Sequence, residues 1–173
     1  PARRMPVFGY LTEDGWQETS YFHFDFEEMP IISIVNDKDE PITVDVDLPG
    51  RSIKARIWML QVGRVPLFLL DTSNSNQDEN DRMLTSRLYS SDPEVRISQE
   101  ILLGIGGVQA LRMLGYNPSL WHMNEGHSAF LTLELVREKV AQGKNFKEAA
   151  EEIKKSNVFT THTPVIAGHD RFP

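Results

Sequence analysis

The chain has 173 residues, 40% of them hydrophobic and 25% charged, which is globular composition with enough apolar material for one domain. Eighteen Lys and Arg against 25 Asp and Glu leave a net charge of −7 and no basic stripe, which argues against a nucleic-acid surface. The absence of cysteine removes disulfides, thiolate metal sites and cysteine nucleophiles, and with no apolar run of membrane-span length and no signal-peptide pattern the cytoplasm is expected.

Residues 1–70 read as mainly β. Between 42 and 48 the alternation is strict, with Ile42, Val44, Val46 and Leu48 on one face and Thr43, Asp45 and Asp47 on the other. Pro49-Gly50 supplies a turn, and Ile53, Ala55, Ile57 and Met59 continue the pattern, so an antiparallel hairpin with one wet face is expected. Residues 21–26 and 31–35 are partner-strand candidates, and the continuous apolar run 65–70 suits a strand buried on both faces. Residues 71–81 (DTSNSNQDEND) read as a surface loop.

From residue 93 the period becomes helical. Asp92-Pro93 has the form of an N-cap followed by Pro at the first helical position, and Ile97, Ile101, Ile105, Val108 and Leu111 form a stripe ending near Gly115. A short strand is expected at 120–123. A second helix over 126–142 carries Phe130, Leu133, Val136 and Val140, and Asn145 with Glu148 has the form of a capping box opening a third helix over 146–155. A last strand is expected at 157–161. Helices alternating with strands are the grammar of a parallel α/β sheet, so residues 93–173 form α/β units. The glycines of Gly104-Ile105-Gly106-Gly107 fall in helical phase rather than after a strand, which predicts close backbone packing and not a phosphate cradle.

Ligands of open α/β sheets bind beyond the carboxyl ends of parallel strands. Two such ends are present, WHMNEGHS (121–128) and FTTHTP (159–164), the latter leading to Gly168-His169-Asp170-Arg171, and together they hold four of the five histidines. Asn124, Glu125, Thr161, Thr163 and Asp170 surround them with donors and acceptors for hydroxyl groups. Plainer readings compete: Asn124 as a helix cap, Glu125 as a dipole-stabilising acid, Asp92 as an N-cap, His122 as a satisfied strand residue. A metal site on His122, Glu125, His127 and His162 is disfavoured, because a spacing of five across a strand–loop junction turns the first two rings apart.

The stretches HMNEGHSAF (122–130) and VFTTHTPVIAGHDRFP (158–173), with QEILLGIGGVQAL (99–111) and DGWQ (14–17), resemble the α-glucan phosphorylases, the glycogen, starch and maltodextrin phosphorylase family, in its shorter microbial branch. The resemblance runs across the whole chain. It implies a fragment of the N-terminal domain, a Rossmann-like part of a GT-B glycosyltransferase, with the C-terminal cofactor-binding domain outside the chain. It also implies transfer of a terminal glucosyl unit from an α-1,4-glucan to inorganic phosphate, giving α-glucose 1-phosphate with retention. By resemblance His162 is the catalytic position at the reacting glucosyl unit. Thr163, Glu125, His127, Asp92 (in the gate loop) and Asp170 are substrate-binding positions along the channel. Pyridoxal phosphate is the implied cofactor, bound through a lysine outside this chain, and a homodimer is the implied assembly. A fragment of this kind is expected to be inactive alone. A non-catalytic carbohydrate-binding module of the same fold is the alternative.

Overall fold

The computed structural model describes residues 3–164 except 25, 27, 28, 74, 75, 88, 89 and 91, and for residues 3–10 and 19–24 it describes only the backbone. The chain forms two compact units, Pro1–Asp45 with Ile53–Asp92 and Val46–Ser52 with Pro93–Pro173.

In the first unit β1 (Arg3–Leu11) and β2 (Gln17–Phe24) make an antiparallel ribbon, with Arg3 opposite Phe24 and Leu11 opposite Gln17. The second strand answers the candidate at 21–26; its partner at the N-terminus has no signal in the sequence pattern. A second sheet is built on the long β5 (Arg51–Val62), flanked in the order β3 (Ile32–Ser33), β5, β4 (Thr43–Leu48), with β6 (Val65–Asp71) also paired to β5; the tip of its β4–β5 hairpin, Val46–Ser52, is the segment grouped with the second unit. The expected alternation holds: Val44, Val46 and Leu48 are buried while Asp45 and Asp47 are exposed. Ile53, Ala55 and Ile57 are completely buried on β5, each large aliphatic side chain contributing about 1.5–3 kcal/mol. Gly50 makes the intervening turn at φ +77°, a conformation a side chain resists.

Two expectations need correction here. Strand β6 is not buried on both faces: Val65 and Leu67 are exposed, and among the described residues the strand pairs with β5 alone. As an edge strand it accommodates Pro66, which has no N–H to offer a second neighbour. Residues 71–81 are not simply a surface loop, since Asp71, Thr72 and Asp81 are buried and a short helix, α1, covers Glu79–Arg82. The indole N–H of Trp58 donates to Asp71 Oδ2 at 3.0 Å, and Ser73 N donates to Asp71 Oδ1 at 2.7 Å. Gln77 adds a clamp, accepting from Lys54 N and donating to Lys54 O, both at 2.7 Å. Polar composition here reflects satisfied hydrogen bonds rather than exposure.

In the second unit one helical stretch runs as α2 (Pro93–Ile101), a π turn (Leu102–Gly106) and α3 (Gly107–Met113). Ile97, Ile101 and Ile105 are only half-buried, while Ser98, Glu100, Leu102 and Gly104 take the inner positions, and the π turn inserts a residue between the phases of α2 and α3. The predicted packing role of the glycines belongs to Gly104, where a Cβ would lie 2.7 Å from Leu131 N and 2.8 Å from Phe130 Cβ. Strand β7 (Trp121–Asn124) pairs in parallel with β8 (Asn157–Thr160), Trp121 opposite Asn157 and Asn124 opposite Thr160. The expected helix over 126–142 is split into a 3-10 turn (Gly126–Ser128) and α4 (Leu131–Ala141). Its inner face is Leu131, Glu134, Leu135 and Val136, whereas Leu133 and Val140 are exposed, contrary to the predicted stripe. Helix α5 (Phe146–Lys154) begins at the expected capping box, Glu148 N donating to Asn145 Oδ1 at 3.0 Å. Val108, Trp121, Met123, Leu131, Leu135, Val136, Ala149 and Ile153 form the core of this unit.

Candidate functional site

Strands β7 and β8 end side by side, and the two-residue period of β7 sets which side chains reach the interior at that end. Trp121 and Met123 face inward, His122 and Asn124 outward, and the next residue on the inner face is an acid, Glu125. The ladder continues one bond further, Glu125 N donating to Thr160 O at 2.8 Å. Glu125 then turns sharply, at φ +59° and ψ −168°, a region populated almost only by glycine and costing a side-chain residue about 1–3 kcal/mol.

A buried carboxylate requires partners. Glu125, 5% exposed, finds them 37 and 38 residues on: His162 N and Thr163 N donate to its Oε1 at 2.6 and 2.9 Å. The His162 N–H holds the Glu125 carboxyl down at about 2 against an ordinary 4.5, burial opposes it, and the Thr163 N–H and the Thr163 and Thr161 hydroxyls add to the depression. The plainer reading of Glu125 as a helix-dipole acid is thereby replaced.

The exposed His162 ring is held from one side of the strand end. Its Nε2 lies 3.1 Å from Asn124 Oδ1; an amide oxygen only accepts, so that nitrogen donates. Its Nδ1 lies 3.5 Å from Glu125 Oε1. The Asn124 side chain thus meets His162. His122 Nε2 pairs across the strands with Thr160 Oγ1 at 2.6 Å.

His127 is held by other partners. Its Nδ1 accepts from Arg96 Nη2 at 3.0 Å and lies 3.7 Å from Glu100 Oε1, while Arg96 Nε lies 3.6 Å from the same oxygen. Arg96 and Glu100 occupy one face of α2 at a spacing of four, the signal from which their pairing could have been read. Contact therefore joins Asn124, Glu125, His162 and Thr163, and separately His127 with Arg96 and Glu100. Asp92 belongs to the first unit, exposed, its N–H donating to Ser90 Oγ at 3.2 Å. Asp170 lies outside the described residues. Among the described residues no three His, Asp or Glu side chains converge as metal ligands.

The chain is 42% identical over 163 residues to the maltodextrin phosphorylase of Thermococcus litoralis, covering 94% of the chain and 20% of that protein. It is 46% identical over 172 residues to the glycogen phosphorylase of Mycobacterium tuberculosis, with the same coverage. This chain belongs to the glycogen and maltodextrin phosphorylase family. The phosphorylase of Aquifex aeolicus is 31% identical over 169 residues, covering 95% of the chain and 24% of that protein. The chain thus spans about a fifth of the length of the curated phosphorylases it matches. No family model matches it, and no solved structure does. The motif resemblance at 122–130 and 158–173 is borne out at the level of the phosphorylase family, on a mixed α/β fold with an antiparallel sheet.

Proposed function

We propose that the chain is part of the N-terminal, Rossmann-like domain of a GT-B α-glucan phosphorylase. The intact enzyme transfers a terminal glucosyl unit from an α-1,4-glucan to inorganic phosphate, releasing α-glucose 1-phosphate with retention. The observation that carries this reading is the junction of Glu125 with His162 and Thr163 at the carboxyl ends of two parallel strands, where α/β sheets bind ligands. The names of the relatives supply the substrate class.

In this reading the transition state is oxocarbenium-like, and the His162 main-chain carbonyl lies beside the anomeric carbon as a fixed dipole for its positive charge. The His162 ring, steadied by Asn124, faces sugar hydroxyls. Thr163 stands next to it, Glu125 and His127 belong to the channel wall near the anomeric carbon, and Asp92 and Asp170 act farther out, at the gate and along the channel. Exclusion of water favours phosphate as acceptor over hydrolysis.

Pyridoxal phosphate would in this reading be held by the rest of the enzyme, where its phosphate group would supply acid–base chemistry. The lysines of this chain do not fit it. Lys139 and Lys144 pair with Glu152, Lys54 pairs with Asp45, and Lys38, Lys147, Lys154 and Lys155 are exposed. A homodimer acting in the cytoplasm completes the proposal.

The test uses the full-length enzyme with maltoheptaose, inorganic phosphate and pyridoxal phosphate, following the product by proton NMR. The expected product is α-glucose 1-phosphate, and His162→Ala is expected to lower kcat far more than it weakens glucan binding. Glucan binding without any phosphorolysis would instead establish a carbohydrate-binding module.

A further inference from the structure

Resting on that reading, we infer that Glu125 is a positioning residue. It acts on the reacting sugar through the His162–Thr163 peptide, which it orients and polarises, and not by touching the sugar.

The geometry is a consequence of peptide planarity. The N–H of Thr163 and the C=O of His162 belong to one peptide unit, and among the described residues every peptide bond is trans. In a trans peptide these two groups point in opposite directions. With Thr163 N–H fixed on Glu125 Oε1 at 2.9 Å, the His162 carbonyl is aimed away from the carboxylate. The second bond, His162 N at 2.6 Å to the same oxygen, fixes the preceding peptide as well and removes rotation about the pair. Both planes flanking His162 are therefore set by one atom.

The same bond carries charge. A peptide N–H bonded to a carboxylate is polarised, and its carbonyl oxygen becomes more negative, an effect that chains of hydrogen bonds transmit in a low-dielectric setting. The carboxyl of Glu125 is ionised well below neutral pH. From the channel wall its negative charge is thus presented at the His162 carbonyl through the main chain, with its Oε1 engaged by two N–H groups and not by the sugar.

Three further features favour an inward task over sugar contact. The Glu125 side chain is 6% exposed, against 59% for His162. Its residue conformation, φ +59°, is one that glycine would adopt without strain, so a side chain here requires a compensating role. Its partners lie 37 and 38 residues away, on the strand end that bears the chemistry, and not within its own turn.

The experiment compares the wild-type full-length enzyme with Glu125→Gln and Glu125→Ala. Hydrogen exchange of the peptide spanning His162 and Thr163 is measured beside kcat and the Kd of maltoheptaose. Glu125→Ala is expected to speed that exchange and to lower kcat by about 100-fold, the scale of a misplaced reacting group, with Kd little changed. Glu125→Gln retains an acceptor oxygen but not the charge, and is expected to keep most of the exchange protection while losing about tenfold in kcat. Unchanged exchange in Glu125→Ala would overturn the inference, as would a rise in Kd at constant kcat, which marks direct sugar contact. A fall in melting temperature with kcat intact would overturn it too. Should Glu125→Ala not fold, the kcat and Kd of Glu125→Gln decide alone. A wild-type enzyme that makes no glucose 1-phosphate would defeat the phosphorylase reading, whereas the exchange comparison would still decide whether Glu125 holds the His162–Thr163 main chain.

Discussion

Among the described residues two buried acids sit where strands end, and they do different work. Asp71, 3% exposed, closes β6 and takes a hydrogen bond from the Trp58 indole on the adjacent strand and one from Ser73, two residues on. Glu125, 5% exposed, comes directly after β7 and binds two main-chain N–H groups of a distant segment, from a backbone conformation suited to glycine. The first acid secures a local turn and an aromatic side chain. The second joins two strand ends under local strain. A buried acid by itself indicates neither structure nor function; the sequence distance to its partners and the strain it tolerates separate the two cases.

The sharpest way to break this comparison is to remove the acid of the structural site. Asp71→Ala leaves the Trp58 and Ser73 N–H groups without their acceptor and is expected to cost about 3 kcal/mol of stability, read by denaturant unfolding of the full-length enzyme. The kcat of the folded molecules should be unchanged. A loss of kcat equal to that of Glu125→Ala would erase the distinction between the two acids.

Gly104→Ala tests what seats the turn that carries Glu125 and His127. The new Cβ would meet Leu131 N at 2.7 Å and the Phe130 main-chain carbon at 2.9 Å, neither of which can rotate away. Destabilisation of about 2 kcal/mol is expected, with kcat reduced as residues 126–130 shift. A neutral Gly104→Ala would show that the helix and the turn are not in such close contact.

The acid range sharpens the comparison further. The folded Glu125 carboxyl ionises at about 2, below its ordinary 4.5, so its contribution to stability is complete above pH 5 and is lost as pH falls toward 2. The stability difference between wild type and Glu125→Gln should therefore narrow over that window and stay constant from pH 5 to 7. A difference that does not change with pH would show that the charge plays no part in the hold.

The smallest effect is expected at Arg112, which forms a two-bond pair with Glu138 at 3.0 and 2.9 Å and stacks over Trp121 at 5.4 Å. The pair is partly exposed, so Glu138→Gln should cost no more than about 1 kcal/mol and leave kcat unchanged.

How much of the fold is legible in the sequence depends on the range of each interaction. The hairpin at 42–59 is legible because alternation is local, and α5 because Asn145 and Glu148 cap it from within four residues. The run 65–70 misleads because a continuous apolar segment looks the same with one covered face or two. The stripe through Ile97, Ile101 and Ile105 is only half-buried, and the π turn that breaks its phase toward Val108 is announced by no periodicity. On α4 the inner position of Glu134 is made possible by Arg137, whose guanidinium makes two bonds of 2.7 Å to its carboxylate.

At the candidate site the two motifs fall at the ends of the paired strands β7 and β8, and period two places Glu125 inward. Its hold on His162 and Thr163 lies out of reach of the sequence, since pairings at such a distance in the chain arise only when β7 and β8 align. The separate engagement of His127 by Arg96 and Glu100 is hidden for the same reason.

The most direct measurement is a crystal structure of the intact enzyme with a malto-oligosaccharide bound across its channel. The expected result has the Glu125 carboxylate about 3 Å from the His162 and Thr163 nitrogens, with the His162 carbonyl turned toward the anomeric carbon of the terminal glucose. A Glu125 carboxylate swung onto a sugar hydroxyl, with both N–H groups released, would contradict it.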